Sequence, residues 1–274
     1  MAAEIPLSQV VLTAQSRAED LGFVALHDLS SVLANADQSR IIGGHMVQLH
    51  AYRWNLGANL YRETQDADLG VPPILVRDLE IIDRLQALGY ERVAANRFSR
   101  AVTDLPQSGP SPVVPRAVID ILVPAYTSRP RQNRRVSDDL TTTEVPGLAT
   151  ALRRPAIAVS LDVHRLSGDH RLFPCVIPDE AAALVLKSLA WSTRAAQRDA
   201  IDVWRCLEIA NAAGLRLKDF QGSEPSTAVD TVHSAFEHRG ASGMVAIEKA
   251  NNLSGEGADR RFTRISALIQ RVLS

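Results

Sequence analysis

Cysteine is nearly missing from this chain: of 274 residues only Cys175 and Cys206 carry thiols. They stand far apart, without the close spacing of a metal knuckle, which argues against a disulfide framework or a zinc scaffold and for a reducing compartment. An excess of either charge is missing too. The 30 Lys and Arg face 31 Asp and Glu, a formal net charge of −1. The chain is therefore no polycation that coats nucleic acid, and any such contact must be local. No apolar window approaches the length of a membrane span, and the N-terminus has no basic region leading into an apolar stretch. The expectation is a soluble, unprocessed cytoplasmic protein with no membrane partner. Internal repeats and low-complexity tracts are lacking as well. What is present is apolar content of 46%, enough for one large core or two modest ones.

The chemistry is concentrated in a few places. Asp66 and Asp68 sit in Thr64-Gln65-Asp66-Ala67-Asp68-Leu69-Gly70-Val71. On a strand, residues two apart point to one side, so both carboxylates can aim at one divalent ion. About twenty residues earlier, Ile41-Ile42 ends in Gly43-Gly44 and a helical pattern follows from His45. Glycines at that turn let a phosphate approach the backbone at a helix N-terminus. Asp120 interrupts the apolar run from Ala117 to Val123. A charge in such a strand needs a metal or a cationic partner, for which Arg116 and Arg53 are the candidates.

Together these features resemble the polymerase-β-like nucleotidyltransferase superfamily. There a Gly-Gly or Gly-Ser turn precedes an Asp-x-Asp strand, and a third Asp lies on a neighbouring strand. Downstream, Lys187 in an otherwise apolar helix is followed by Arg198-Asp199-Ala200-Ile201-Asp202. That order is similar to the AbiEii branch, which includes the MenT-like toxins. The resemblance implies Mg²⁺ or Mn²⁺ on Asp66, Asp68 and Asp120, and phosphates cradled by Gly43, Gly44 and Lys187. It also implies that Asp202 faces the cleft, with an NTP as substrate. A tRNA end as acceptor and a cognate antitoxin protein as partner follow from the toxin branch.

Two positions complicate that pattern. His45 stands where the family carries Thr or Ser; an imidazole can donate to phosphate but is bulkier. Thr64 could touch phosphate, take a modifying phosphate that repels the triphosphate, or satisfy nearby backbone. Arg62 could add charge at the site mouth. The arginines between Arg129 and Arg135 are either a binding surface or a solvated loop. Trp54, Trp191 and Trp204 lie in helical apolar patterns and read as core.

The predicted architecture is α+β: a mixed-sheet nucleotidyltransferase domain over residues 1–177 and a helical C-terminal domain over 178–274. Helices are predicted from Leu7 to Leu21 and from Val76 to Leu88, and a single strand from Glu91 to Val102. Two further helices are predicted after Ser226. The function expected is metal-dependent transfer of a nucleoside monophosphate to an acceptor hydroxyl. The alternatives are a degenerate nucleotide- or partner-binding member and a small-molecule nucleotidyltransferase.

Overall fold

The computed structural model describes residues 8–33, 38–57, 60–61, 63–78, 80–105, 114–127, 129–136 and 140–274. Its first element is a strand, β1 (Ser8–Thr13), followed by helix α1 (Arg17–Val32), where the apolar pattern predicts one helix from Leu7 to Leu21. Val10 and Leu12 are buried while Val11 is exposed. That period of two marks a half-buried strand, and the adjacent valines conceal it in the sequence. Ser16 then starts α1 by accepting the Glu19 backbone N–H at 3.1 Å, satisfying one of the helix's orphan donors.

Strand β2 (Arg40–Ile42) runs straight into helix α2 (Gly43–Arg53), and β3 (Asp66–Gly70) follows. The predicted helix from Val76 to Leu88 is two helices, α3 (Pro73–Asp78) and α4 (Ile81–Ala87), with Glu80 at φ 48° between them. Pro73 opens α3, a position where a missing N–H removes no helix bond. The predicted strand from Glu91 to Val102 is also divided, into a hairpin of β4 (Glu91–Arg92) and β5 (Arg97–Ala101). Then come β6 (Arg116–Pro124), β7 (Arg134–Arg135), β8 (Thr141–Val145) and helix α5 (Leu148–Arg153).

The larger sheet has the order β2-β3-β6-β5-β4, with β8 joined to β6 and β7 to β8. β3 and β8 run parallel to β6, whereas β2 is antiparallel to β3 and β5 is antiparallel to β6. Register aligns Ile42, Asp68, Asp120 and Arg97 in one row across four strands. A smaller sheet joins β1 in parallel to β9 (Ala156–His164), which pairs antiparallel with β10 (His170–Pro178).

From Glu180 the chain is helical: α6 (Glu180–Arg194), α7 (Gln197–Ala212), α8 (Ser223–Phe236), α9 (Ser242–Ala250) and α10 (Gly255–Val272). Three helices thus follow Gly222, one more than the sequence pattern predicts. The molecule is α+β with mixed sheets. One apolar core joins both sheets to α1 through Phe23, Leu26, Leu69, Ile119, Leu161 and Phe173. A second core fills the helical region and takes in Met46 and Val47 of α2 and Leu148 of α5. The helices therefore pack into the sheet region, and α2 belongs to both. Among the described residues no helix is long and apolar enough to cross a membrane.

Candidate functional site

Strand alternation turns Ala67 and Leu69 into the core and Asp66 and Asp68 the other way. Asp120, one strand over and in register with Asp68, joins them. Ligand oxygens of Asp66, Asp68 and Asp120 all lie within 4.8 Å of one another. Asp66 and Asp68 are partly exposed and Asp120 is buried. They line a cavity of about 430 Å³ together with Gly43, Gly44 and Lys187. Five of the positions singled out in the sequence on widely separated elements are thus brought to one cleft beside Asp120.

Gly43 explains how β2 and α2 can close on the carboxylates. Its φ is +69°, and a Cβ there would stand 1.7 Å from Asp68 Oδ2, a distance no side chain can occupy. The first turn of α2 carries no acidic residue, and Ile42 gives it no side-chain cap.

Arg97, which the sequence reading missed, sits among the carboxylates. Its Nε and Nη2 donate to the two oxygens of Asp120 at 3.0 and 2.6 Å, and Nη2 also reaches Asp66 Oδ2 at 3.4 Å. Asn96 Nδ2 adds a longer contact to Asp120 at 3.4 Å. The hydrogen bonds that Asp120 accepts, aided by the charges of Asp120, Asp66 and Asp68, hold the Arg97 guanidinium even more firmly protonated than usual, against a smaller effect of burial. Neither suggested partner of Asp120 is correct. Arg116 binds Ser99 and Glu91, and Arg53 binds Glu180. The signal available was Asn96, a turn residue inside an apparently continuous strand.

The opposite wall comes from α6 and α7. Lys187 Nζ donates to Asp202 Oδ2 at 2.8 Å, with both side chains buried, and Arg205 Nη1 reaches Asp202 Oδ1 at 3.1 Å. Asp202 is fully buried behind Lys187 and is not on the cavity wall, contrary to the expectation that it faces the cleft. Asp199, three residues earlier, lines the cavity instead, held by Arg194 at 2.8 and 3.1 Å. Arg194 and Arg198 line it too, so four acidic residues face four basic ones, counting Arg97 and Lys187.

His45 and Thr64 are not on that wall. The His45 ring is buried and lies 6.4 Å from the Phe23 ring, tilted by 41°. A Cβ on Gly22 would come within 2.9 Å of this imidazole and 2.3 Å of the Thr64 carbonyl, so both residues are packed against α1. His45 therefore fills core space and leaves the cleft unobstructed. Thr64 is buried as well, and its hydroxyl has no hydrogen-bond partner among the described residues. Arg62 lies outside those residues. Arg131 and Arg134 both bind Glu144 at 2.9 Å, a structural use of half the arginine-rich segment. Trp191 and Trp204 are core, while Trp54 is 37% exposed and donates to Glu180.

Magnesium-like ions prefer oxygen donors at about 2.0–2.1 Å, so two oxygens on one ion stand at most about 4.2 Å apart. The three aspartates come close to that with small side-chain movement, and their all-oxygen chemistry suits Mg²⁺ or Mn²⁺. Arg97 is the group that an ion would have to displace or share with. In comparisons with known proteins, no family model matches the chain and no curated protein matches it.

Proposed function

We propose that the cleft is a metal-dependent nucleotidyl-transfer site, moving a nucleoside monophosphate from an NTP to an acceptor hydroxyl with release of pyrophosphate. The observation that carries this reading is the convergence of Asp66, Asp68 and Asp120 opposite Lys187, Arg194 and Arg198 in one cavity, beside the glycine-opened N-terminus of α2. A bound Mg²⁺ would neutralise phosphate charge and polarise the reacting phosphoryl group. Asp66, Asp68 and Asp120 would hold it. First-turn N–H groups of α2, approached past Gly43 and Gly44, bind phosphate oxygens. Lys187 adds a cation whose position is fixed by Asp202, which makes Asp202 a positioning residue. Arg194 and Arg198 attract the triphosphate and hold the leaving pyrophosphate.

A second reading rests on Arg97. A guanidinium that already satisfies Asp120 and touches Asp66 does a metal's electrostatic work, as a nucleotide-binding member without turnover would require.

The experiment is incorporation of each of the four NTPs, labelled at the α-phosphate, into total tRNA and total protein with Mg²⁺ or Mn²⁺, with Asp66→Ala/Asp68→Ala as control. Label in tRNA that disappears in the control supports transfer with the toxin-like acceptor and makes an antitoxin partner worth seeking. Label in protein keeps the chemistry and changes the acceptor. Label in neither, with NTP bound, overturns macromolecular transfer in favour of the binding-only reading or a small-molecule acceptor, which pyrophosphate release with cell extract separates.

A further inference from the structure

On the far side of the small sheet, Asp162, His164 and His170 form a cluster unconnected with the cleft. Asp162 and His164 are two apart on β9 and so share a face, and His170 on β10 is the direct cross-strand partner of His164. The Nε2 atoms of both imidazoles address the same carboxylate oxygen: His164 lies 3.4 Å from Asp162 Oδ1, and His170 is in direct contact with it. The rings stack with centroids 4.6 Å apart and planes 24° from parallel. Gln9 on β1 donates to the other carboxylate oxygen at 3.4 Å. All three strands therefore contribute, and the potential ligand atoms lie within 4.8 Å of one another.

We propose that this cluster is a binding site for a borderline divalent transition metal, Zn²⁺ foremost, held by His164 Nε2, His170 Nε2 and an oxygen of Asp162. Ligands at about 2.0–2.1 Å around tetrahedral zinc stand roughly 3.4 Å apart, the separation already present between His164 and Asp162. Coordination requires a lone pair on each Nε2, so the ring proton of each neutral imidazole must sit on Nδ1. Gln9 keeps Asp162 oriented, as an outer hydrogen-bond partner does in metal sites. Two imidazoles and one carboxylate select Zn²⁺, Co²⁺ or Ni²⁺ over Mg²⁺, the reverse of the all-oxygen cleft. Half-exposed histidines, at 50% and 55% of their side-chain surface, leave the remaining coordination positions open to water or to a ligand from a partner. The site stands independently of the proposed transfer chemistry.

The test is calorimetric titration of Zn²⁺ into the full, untagged, metal-stripped chain in excess Mg²⁺, with Co²⁺ absorption as a second readout. The expected result is a single saturable site, weakened by more than about tenfold in His164→Ala and in His170→Ala and unchanged in Asp66→Ala/Asp68→Ala. Circular dichroism with chelator verifies that the variants are folded, and Zn²⁺ should raise the thermal midpoint of the wild type but not of the histidine variants. No saturable binding, binding indifferent to both histidine substitutions, or binding lost with the cleft aspartates would each overturn the proposal.

Discussion

Gly43 has no room for a side chain, and that is a prediction about function. Gly43→Ala must strain a φ of +69° and push aside Asp68 Oδ2, at a cost of about 1–3 kcal/mol. Urea denaturation should register that loss, and Mg²⁺-dependent nucleotide binding should fall with it; a fully active variant would contradict the close approach. Lys187 tests the opposite wall. Lys187→Met takes from buried Asp202 its ammonium partner and leaves it the Arg205 guanidinium, and losing one partner of a buried pair destabilises by on the order of 3 kcal/mol. Lys187→Met/Asp202→Leu should recover most of the stability and none of the nucleotide binding, which separates Lys187's structural role from its phosphate role. Arg97 competes with metal. Its side chain is 45% exposed, so removing the pairing should strengthen Mg²⁺ binding by about fivefold, the factor equivalent to the roughly 1 kcal/mol that such an ion pair is worth at most. Unchanged or weaker Mg²⁺ affinity in Arg97→Gln would show that the guanidinium does not occupy the ion's place.

At the scale of elements, the junction of α2, β10 and α6 holds the cleft's two walls together. His50 is buried there, with Nε2 at 2.9 Å from the Pro178 carbonyl and Nδ1 facing Arg53 and Glu180. Burial pushes its imidazole down to about 4, with Glu180 opposing and Arg53 assisting. Below the ordinary value of 6.5 the unfolded chain takes up a proton that native His50 refuses, so this contribution is full above that pH and is lost as pH falls to about 4. Unfolding free energies from urea denaturation across that window should drop for the wild type, by an amount on the order of 3 kcal/mol from this group, and the drop should flatten in His50→Gln. An identical slope in the variant would refute the assignment. The aspartates, the glycine turn and β6 were legible in the sequence because each rests on a local pattern: carboxylates two apart, adjacent glycines after an apolar step, and a continuous apolar run. Arg97 was not, because its meeting with Asp120 depends on the register of β5 against β6, which no local pattern encodes. The β1–α1 border was hidden for a related reason: Val10-Val11-Leu12 masks the alternation in burial, which only pairing with β9 reveals. Asp202 was misplaced because two aspartates three apart share a helix face, and only packing against α6 tells which one looks into the cleft.

For the whole molecule, the two cores meet along α2, so the cleft lies where sheet and helical bundle are welded together. Both cysteines are sealed within those cores. Burial pushes the Cys175 thiol up to about 12, and it raises the Cys206 thiol as well. Neither should react with a thiol reagent in the native state, and both should label on unfolding; rapid native labelling would mean that the packing is looser than described. Calorimetric titration of a non-hydrolysable NTP analogue with and without Mg²⁺ shows whether Asp66, Asp68 and Asp120 gather a metal against a triphosphate. The expected result is saturable binding that requires Mg²⁺ and disappears in Asp66→Ala/Asp68→Ala. Equal binding without Mg²⁺, or binding indifferent to that double substitution, would contradict it.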